Sequence, residues 1–163
     1  MLTLILGSVV ACVGVSAFGY VAHRALHEGW TWMLHDKHMV HHIQLYPADD
    51  FFSKEYRSAG KDASTKVFLI AGIPLLLAPV LAGILGIVSF STGFILIAEM
   101  LAVGYLHDYL HDAFHITDHW LNVFAPFRRL VSLHQVHHKE MQKNFGIFTY
   151  IFDKMFGTFQ SNK

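Results

Sequence analysis

Eleven of the thirteen histidines in this chain fall into four short clusters, and any fold the chain adopts has to account for them. The clusters are His23 with His27; His38 with His41 and His42; His107 with His111 and His115; and His134 with His137 and His138. On a helix each residue advances about 100°, so an i, i+4 pair differs by roughly 40° and points to one side. In the HxxHH spacing, the second and third histidines lie about −60° and +40° from the first. The three share an arc of roughly 100°, so they can face a common centre. That spacing occurs twice, from His38 to His42 and from His134 to His138.

A single histidine in an apolar stretch is ordinarily a hydrogen-bonded core residue. Four clusters with repeated helical spacing argue for something else. Neutral imidazole is the commonest metal-binding side chain, and it suits iron, zinc, copper and nickel. With one i, i+4 pair taken from the third cluster, the candidate ligands are His23, His27, His38, His41, His42, His111, His115, His134, His137 and His138. Ten nitrogens are too many for one ion. They suffice for two ions with five each, which leaves a sixth position on each for water, dioxygen or substrate. An open position separates a working metal site from a closed structural one.

The third cluster with the neighbouring His119, that is His107, His111, His115 and His119, forms an every-fourth stripe that drifts about 40° per step. They cannot all face one metal pair, so His111 and His115 are taken as ligands and His107 is held in reserve. His35, three residues before His38, is expected to support a ligand rather than bind. Asp108, Asp112 and Asp118 are interleaved with the stripe. Carboxylates there could accept the free ring N–H of a ligand and offset metal charge; the alternative for each is simple exposure to water.

The apolar segments set where such a site would lie. Hydrophobic residues make up 53% of the chain and the mean hydropathy is +0.39. Residues 1–22 carry no charged side chain, enough to cross a hydrocarbon core of about 30 Å. A signal peptide would carry basic residues ahead of a shorter apolar core, and the first basic residue here is Arg24. A transmembrane helix running on into His23 and His27 is therefore expected. Trp30 and Trp32 suit a bilayer interface. Pro47-Ala48-Asp49-Asp50 is a turn signal that ends the helix carrying the second cluster. Residues 51–66 read as a charged, solvated connector.

Residues 67–106 form the second apolar block, and Glu99 is its first charged residue. It is far too long for one crossing and long enough for a tight hairpin of two. Gly83 to Gly93 holds the turn residues, and Pro74 and Pro79 would kink the first arm. Glu99 is costly at membrane depth unless paired, and a structural role is expected for it. Residues 120–131 look like an interfacial segment, and Asn144 to Thr158 like an amphipathic cap.

Three crossings put residues 23–66 and 107–163 on one side. All twelve Lys and Arg fall in those two stretches, so that side is cytosolic by the positive-inside rule. The expected fold is an all-α integral membrane bundle, residues 1–163 forming one domain. It has about three transmembrane crossings and a cytosolic helical cap that holds a dinuclear metal site. Twelve basic and twelve acidic residues cancel, so no strong field recruits nucleic acid. The one cysteine, Cys12, excludes an intramolecular disulfide and any Cys-rich zinc or iron–sulfur motif. There is no GxSxG and no phosphate-cradling glycine loop to suggest hydrolysis.

The order HxxxH, HxxHH, HxxxH, HxxHH, with a hydrophobic hairpin between the halves, resembles the fatty acid hydroxylase superfamily. That superfamily includes fatty acid and sterol hydroxylases and desaturases, and bacterial carotene hydroxylases. The likeness runs from about His23 to Thr158. It includes a tail, Asn144-Phe145-Gly146 through Asp153 to Phe156-Gly157-Thr158, similar to the family's closing signature. His23 to His27 and Trp30 to His42 also look like the carotene branch, in which His107-Asp108 would match an "HD" ligand position.

The resemblance implies that the ten histidines hold two iron ions, with zinc as an ion the purified protein could carry instead. It implies O2-dependent hydroxylation of a C–H bond in a long lipid, fatty acyl or sterol-like. An unactivated C–H bond offers no handle for acid–base or nucleophilic attack, so a metal must supply the reactivity. Electrons would come from a separate ferredoxin or cytochrome b5-like donor. A carotenoid ring is the alternative substrate. A histidine-rich membrane metal-binding or transport protein is the alternative of another class. It predicts ionisable residues inside the crossings, whereas the clusters lie at their ends.

Overall fold

The computed structural model describes residues 2–57 and 72–162, and all its regular elements are helical. Helix α1, Leu2–Leu26, is 25 residues long with no charged side chain until its last turn. At 1.5 Å per residue it extends about 37 Å, more than a hydrocarbon core needs. Ile5, Val10 and Val13 are exposed on it, and an apolar helix left open in this way is one whose solvent is lipid. It runs through His23, as expected, but ends at Leu26, one residue short of His27, which the sequence pattern places on it.

A single 3-10 turn at Gly29–Thr31 leads into α2, Met33–Val40. Helix α2 then relaxes into one π-turn over His41–Leu45, a distortion commonly found at functional sites. A turn with Asp50 N–H donating to the Pro47 carbonyl at 2.9 Å ends this segment. Ser53 then forms an isolated parallel bridge with Ile116, which ties the chain beyond the second cluster to the end of the third.

A 3-10 turn at Ile73–Leu76 opens on Pro74 and continues as α3, Leu77–Ile84. Gly86, at φ +69°, reverses the chain, in a conformation that costs glycine nothing. The Ser89 side chain caps α4, Phe90–Ala113, by accepting the Thr92 N–H at 3.1 Å. Among the described residues two helices are long and apolar enough to cross a membrane, Leu4–Leu26 and Phe90–Ala113; Ile73–Ile84 is apolar but shorter. The connector at 58–66 and the start of the expected first hairpin arm, 67–71, lie outside the described residues. Glu99 is paired across the helices, its Oε1 accepting the Ser8 hydroxyl of α1 at 2.9 Å.

After a 3-10 turn at Trp120–Val123, helix α5 runs from Ala125 to Lys139. Trp120, Val123 and Phe124 are exposed, which suits an interfacial segment. Among the described residues the tail contains one short helix, α6, Ile151–Met155, and is otherwise a loop closed by buried polar groups. The apolar core joins Phe51, Leu110, Phe114, Phe127, Val131 and Ile147. It lies where α4, α5 and the tail meet, with Phe51 and Phe114 packed directly on His115 and His134.

Candidate metal centre

All ten candidate ligands are buried, eight of them at 1% exposure or less. They assemble into two neighbouring groups. In the first, the ligand nitrogens of His23, His27, His38, His42 and His137 lie within 4.8 Å of one another. In the second, those of His41, His115, His134 and His138 do the same. His111 borders the second group, with ring centroids 4.8 Å from His41 and 4.9 Å from His134. The groups touch where His42 meets His138, at 4.1 Å between ring centroids.

The rings of each HxxHH motif divide between the two groups. In each, the i and i+4 rings stay together and the i+3 ring crosses to the other group. His38 and His42 enter the first group while His41 enters the second; His134 and His138 enter the second while His137 enters the first. The reason is angular. The i+4 ring is about 40° from the first on one side, and the i+3 ring about 60° on the other. The arc is wide enough to straddle two centres. Each half of the chain thus supplies most of one group and a single ring to its neighbour.

His107 belongs to neither group. It lies against Gly19 and Phe148, with its Nδ1 facing Asp108 Oδ1 at 3.4 Å. Among the described residues, the two groups of gathered nitrogens therefore do not include the His107-Asp108 pair. His35 is also outside both groups; its Nδ1–H donates to the Leu26 carbonyl at 2.9 Å, which supports the backbone beside His27. His119 bonds the Tyr109 hydroxyl at 3.0 Å and packs on Phe127.

Backbone carbonyls, not the interleaved aspartates, orient four of the ten rings. His23 Nδ1–H donates to Phe145 O at 2.7 Å, His115 to Phe51 O at 3.1 Å, His137 to Lys143 O at 2.7 Å and His138 to Tyr46 O at 2.7 Å. A carbonyl only accepts, so each of these rings carries its proton on Nδ1 and presents a bare Nε2. Of the aspartates, Asp112 approaches a candidate ligand, with Oδ1 at 3.7 Å from His111 Nδ1, while Asp118 is exposed. Sequence reasoning missed the four carbonyls because a backbone acceptor leaves no side-chain signal.

This arrangement fits a cation. Nε2 atoms face one another at 3.1 Å between His27 and His137, 2.9 Å between His38 and His27, and 3.1 Å between His42 and His38. An ion about 2.1 Å from each nitrogen would set ligands at right angles about 3.0 Å apart. The Nε2 of His138 and both ring nitrogens of His111 are buried with no hydrogen-bond partner. Such atoms are costly unless something binds them.

Burial also keeps the rings in the form that binds. It pushes His27 and His138 down to about 3. His38, His41, His42, His115, His134 and His137 are likewise driven well below the ordinary histidine value by loss of solvent, and neighbouring rings push the same way. At neutral pH these imidazoles are uncharged. Their contribution to stability is therefore complete above the unfolded value near 6.5 and is lost as pH falls from there toward 3. Each unit of depression corresponds to about 1.4 kcal/mol, so acidification from pH 7 to 4.5 should destabilise the metal-free protein by several kcal/mol. Melting temperatures across that range test this, and a flat profile would contradict it.

Between α1, the turn at Ile73–Leu76 and α4 lies an apolar cavity lined by Gly19, Leu75, Leu76, Met100, Gly104 and His107. His23 and His111 each follow a lining residue by one helical turn, about 6 Å along the axis.

A family model described as "Fatty acid hydroxylase" matches residues 8–158. No curated protein and no solved structure matches the chain. The matched span takes in both histidine groups and the closing tail.

Proposed function

The chain belongs to the fatty acid hydroxylase family, and from that membership we propose that it is a membrane-bound lipid hydroxylase with a two-iron site. His23, His27, His38, His42 and His137 hold one ion; His41, His111, His115, His134 and His138 hold the other. Zinc is the competing occupant, because it accepts imidazole as readily. The iron would supply the activation of dioxygen that an unactivated C–H bond requires. One oxygen atom enters that bond and the other leaves as water. The two electrons come from a separate ferredoxin or cytochrome b5-like donor, with two protons.

The chain's own part is binding, orientation and exclusion of water. The four carbonyls at Tyr46, Phe51, Lys143 and Phe145 hold rings with Nε2 toward the ions. An apolar substrate reaches the cavity from the bilayer, and its end lies one helical turn short of His23 and His111. Leu75, Leu76 and Met100 keep water from it. Placement of all twelve Lys and Arg supports three crossings with the site on the cytosolic side.

The observation that carries this reading is two neighbouring groups of buried histidine nitrogens in a chain whose described residues include two span-length apolar helices, one carrying His23 and the other His111. The test is anaerobic purification with metal analysis, then reduction, addition of oxygen and mass spectrometry. Co-purified lipid and added fatty acyl, sterol and carotenoid substrates are assayed side by side. Gain of one oxygen in one class identifies the substrate. Metal uptake with no oxygenated product in any class would replace this reading with a metal-binding or transport role.

A further inference from the structure

Asp153 is fully buried, and its carboxylate is the hub of the closing tail. Oδ1 accepts the Phe145 N–H and the Thr158 hydroxyl, both at 2.8 Å, and Oδ2 accepts the Gly146 N–H at 2.9 Å. The Thr158 N–H returns to the Asp153 carbonyl at 2.8 Å. Asn144, at φ +55° and also fully buried, completes the closure. Its amide donates to Leu133 O at 3.1 Å and Gln160 O at 2.8 Å, and its Oδ1 accepts the Gln160 N–H at 2.8 Å. Gly146 leaves no slack: a Cβ there would collide with Thr149 O and come within 2.9 Å of Asp153 Oδ2.

This clasp presents two carbonyls to the histidines. Phe145 O takes the Nδ1–H of His23, and Lys143 O takes that of His137. Both rings belong to the five-histidine group. The other group draws its carbonyls from Tyr46 and Phe51, elsewhere in the chain. We infer that Asp153 is a positioning residue for one ion of the pair: by fixing the Lys143–Gly146 backbone it sets the rings of His23 and His137, and the second group does not depend on it. The inference rests on the reading that both groups bind ions.

The chemistry calls for a carboxylate. Two adjacent N–H groups and a hydroxyl converge on one side chain, and an ionised acid accepts all three through charge-assisted bonds. In Asp153→Asn one oxygen becomes an NH2 that confronts an N–H donor. Removing a group that orients a metal ligand typically weakens metal affinity by about 10–100-fold.

The full-length protein, purified metal-free in detergent, is titrated anaerobically with iron(II), with circular dichroism confirming that each variant is folded. Wild type is expected to take two ions. Asp153→Asn should keep one at wild-type affinity and bind the other at least about tenfold more weakly. Two backgrounds identify which. With His134→Ala and His138→Ala, which disable the second group, Asp153→Asn should weaken the remaining ion. With His27→Ala and His42→Ala, which disable the first, it should leave the remaining ion untouched. Thr158→Val removes one of the three donors and should show the same selectivity to a smaller degree; it carries the test if Asp153→Asn does not fold. Equal weakening of both ions would reduce Asp153 to a general structural part and overturn the inference, as would two unchanged affinities. A wild-type protein that takes fewer than two ions would remove the two-ion reading itself, which is a separate failure.

Discussion

Replacing His38 by alanine is expected to abolish lipid oxygenation and to reduce bound metal from two ions per chain to one. His38 is fully buried in the middle of the five-histidine group. Its Nε2 stands 2.9 Å from that of His27 and 3.1 Å from that of His42, so the deletion removes a central donor and leaves a void among the remaining rings. Loss of a group that merely orients a ligand costs about 10–100-fold in affinity or activity. Loss of a ligand itself should exceed that, on the order of 1,000-fold, which places product below detection by mass spectrometry. His107→Ala is the contrasting variant. His107 belongs to neither group, so two ions should remain bound, and any effect should fall on substrate use through the cavity it lines. Oxygenation at wild-type rate by His38→Ala, or loss of an ion from His107→Ala, would show that the ligand assignment is wrong.

Stripping the metal is expected to lower the melting temperature by roughly 15 °C or more. Each buried imidazole nitrogen left without a partner costs about 1–3 kcal/mol, and here several converge on two points. An ion held at a thousandfold excess over its dissociation constant stabilises the folded state by about 4 kcal/mol, so two ions contribute about twice that. For a chain of this size each kcal/mol moves the midpoint by about 2–4 °C. Thermal unfolding in detergent with and without a strong chelator, followed by re-addition of iron(II) or zinc, measures the shift. Identical midpoints in all three conditions would mean that the histidines are satisfied among themselves and that no ion belongs to the fold.

The local part of this structure was legible from residue spacing. His23 with His27, His38 with His42 and His134 with His138 lie in the same groups that their i, i+4 spacing favours, because helix geometry alone decides which side a pair faces. The two span-length helices follow from long apolar runs, the second broken only by Glu99 before its last turns, and the hairpin turn from Gly86 and Ser89.

The assignment of each remaining ring was decided by contacts between segments far apart in the chain. Spacing could not say that His41 and His137 would each leave their own motif for the opposite group, because a 100° arc is compatible with one centre or two. It could not identify Phe145 O or Tyr46 O as the acceptors that choose the tautomer, because every residue has a carbonyl and only tertiary packing selects which one meets an imidazole. Nor could it show that a carboxylate at position 153 would close the tail into a clasp. The sequence alone determined which histidines share a helix face and which segments suit lipid. The tertiary structure decided how those faces divide between two centres, because angular preference is local to a helix while enclosure requires groups from both halves of the chain.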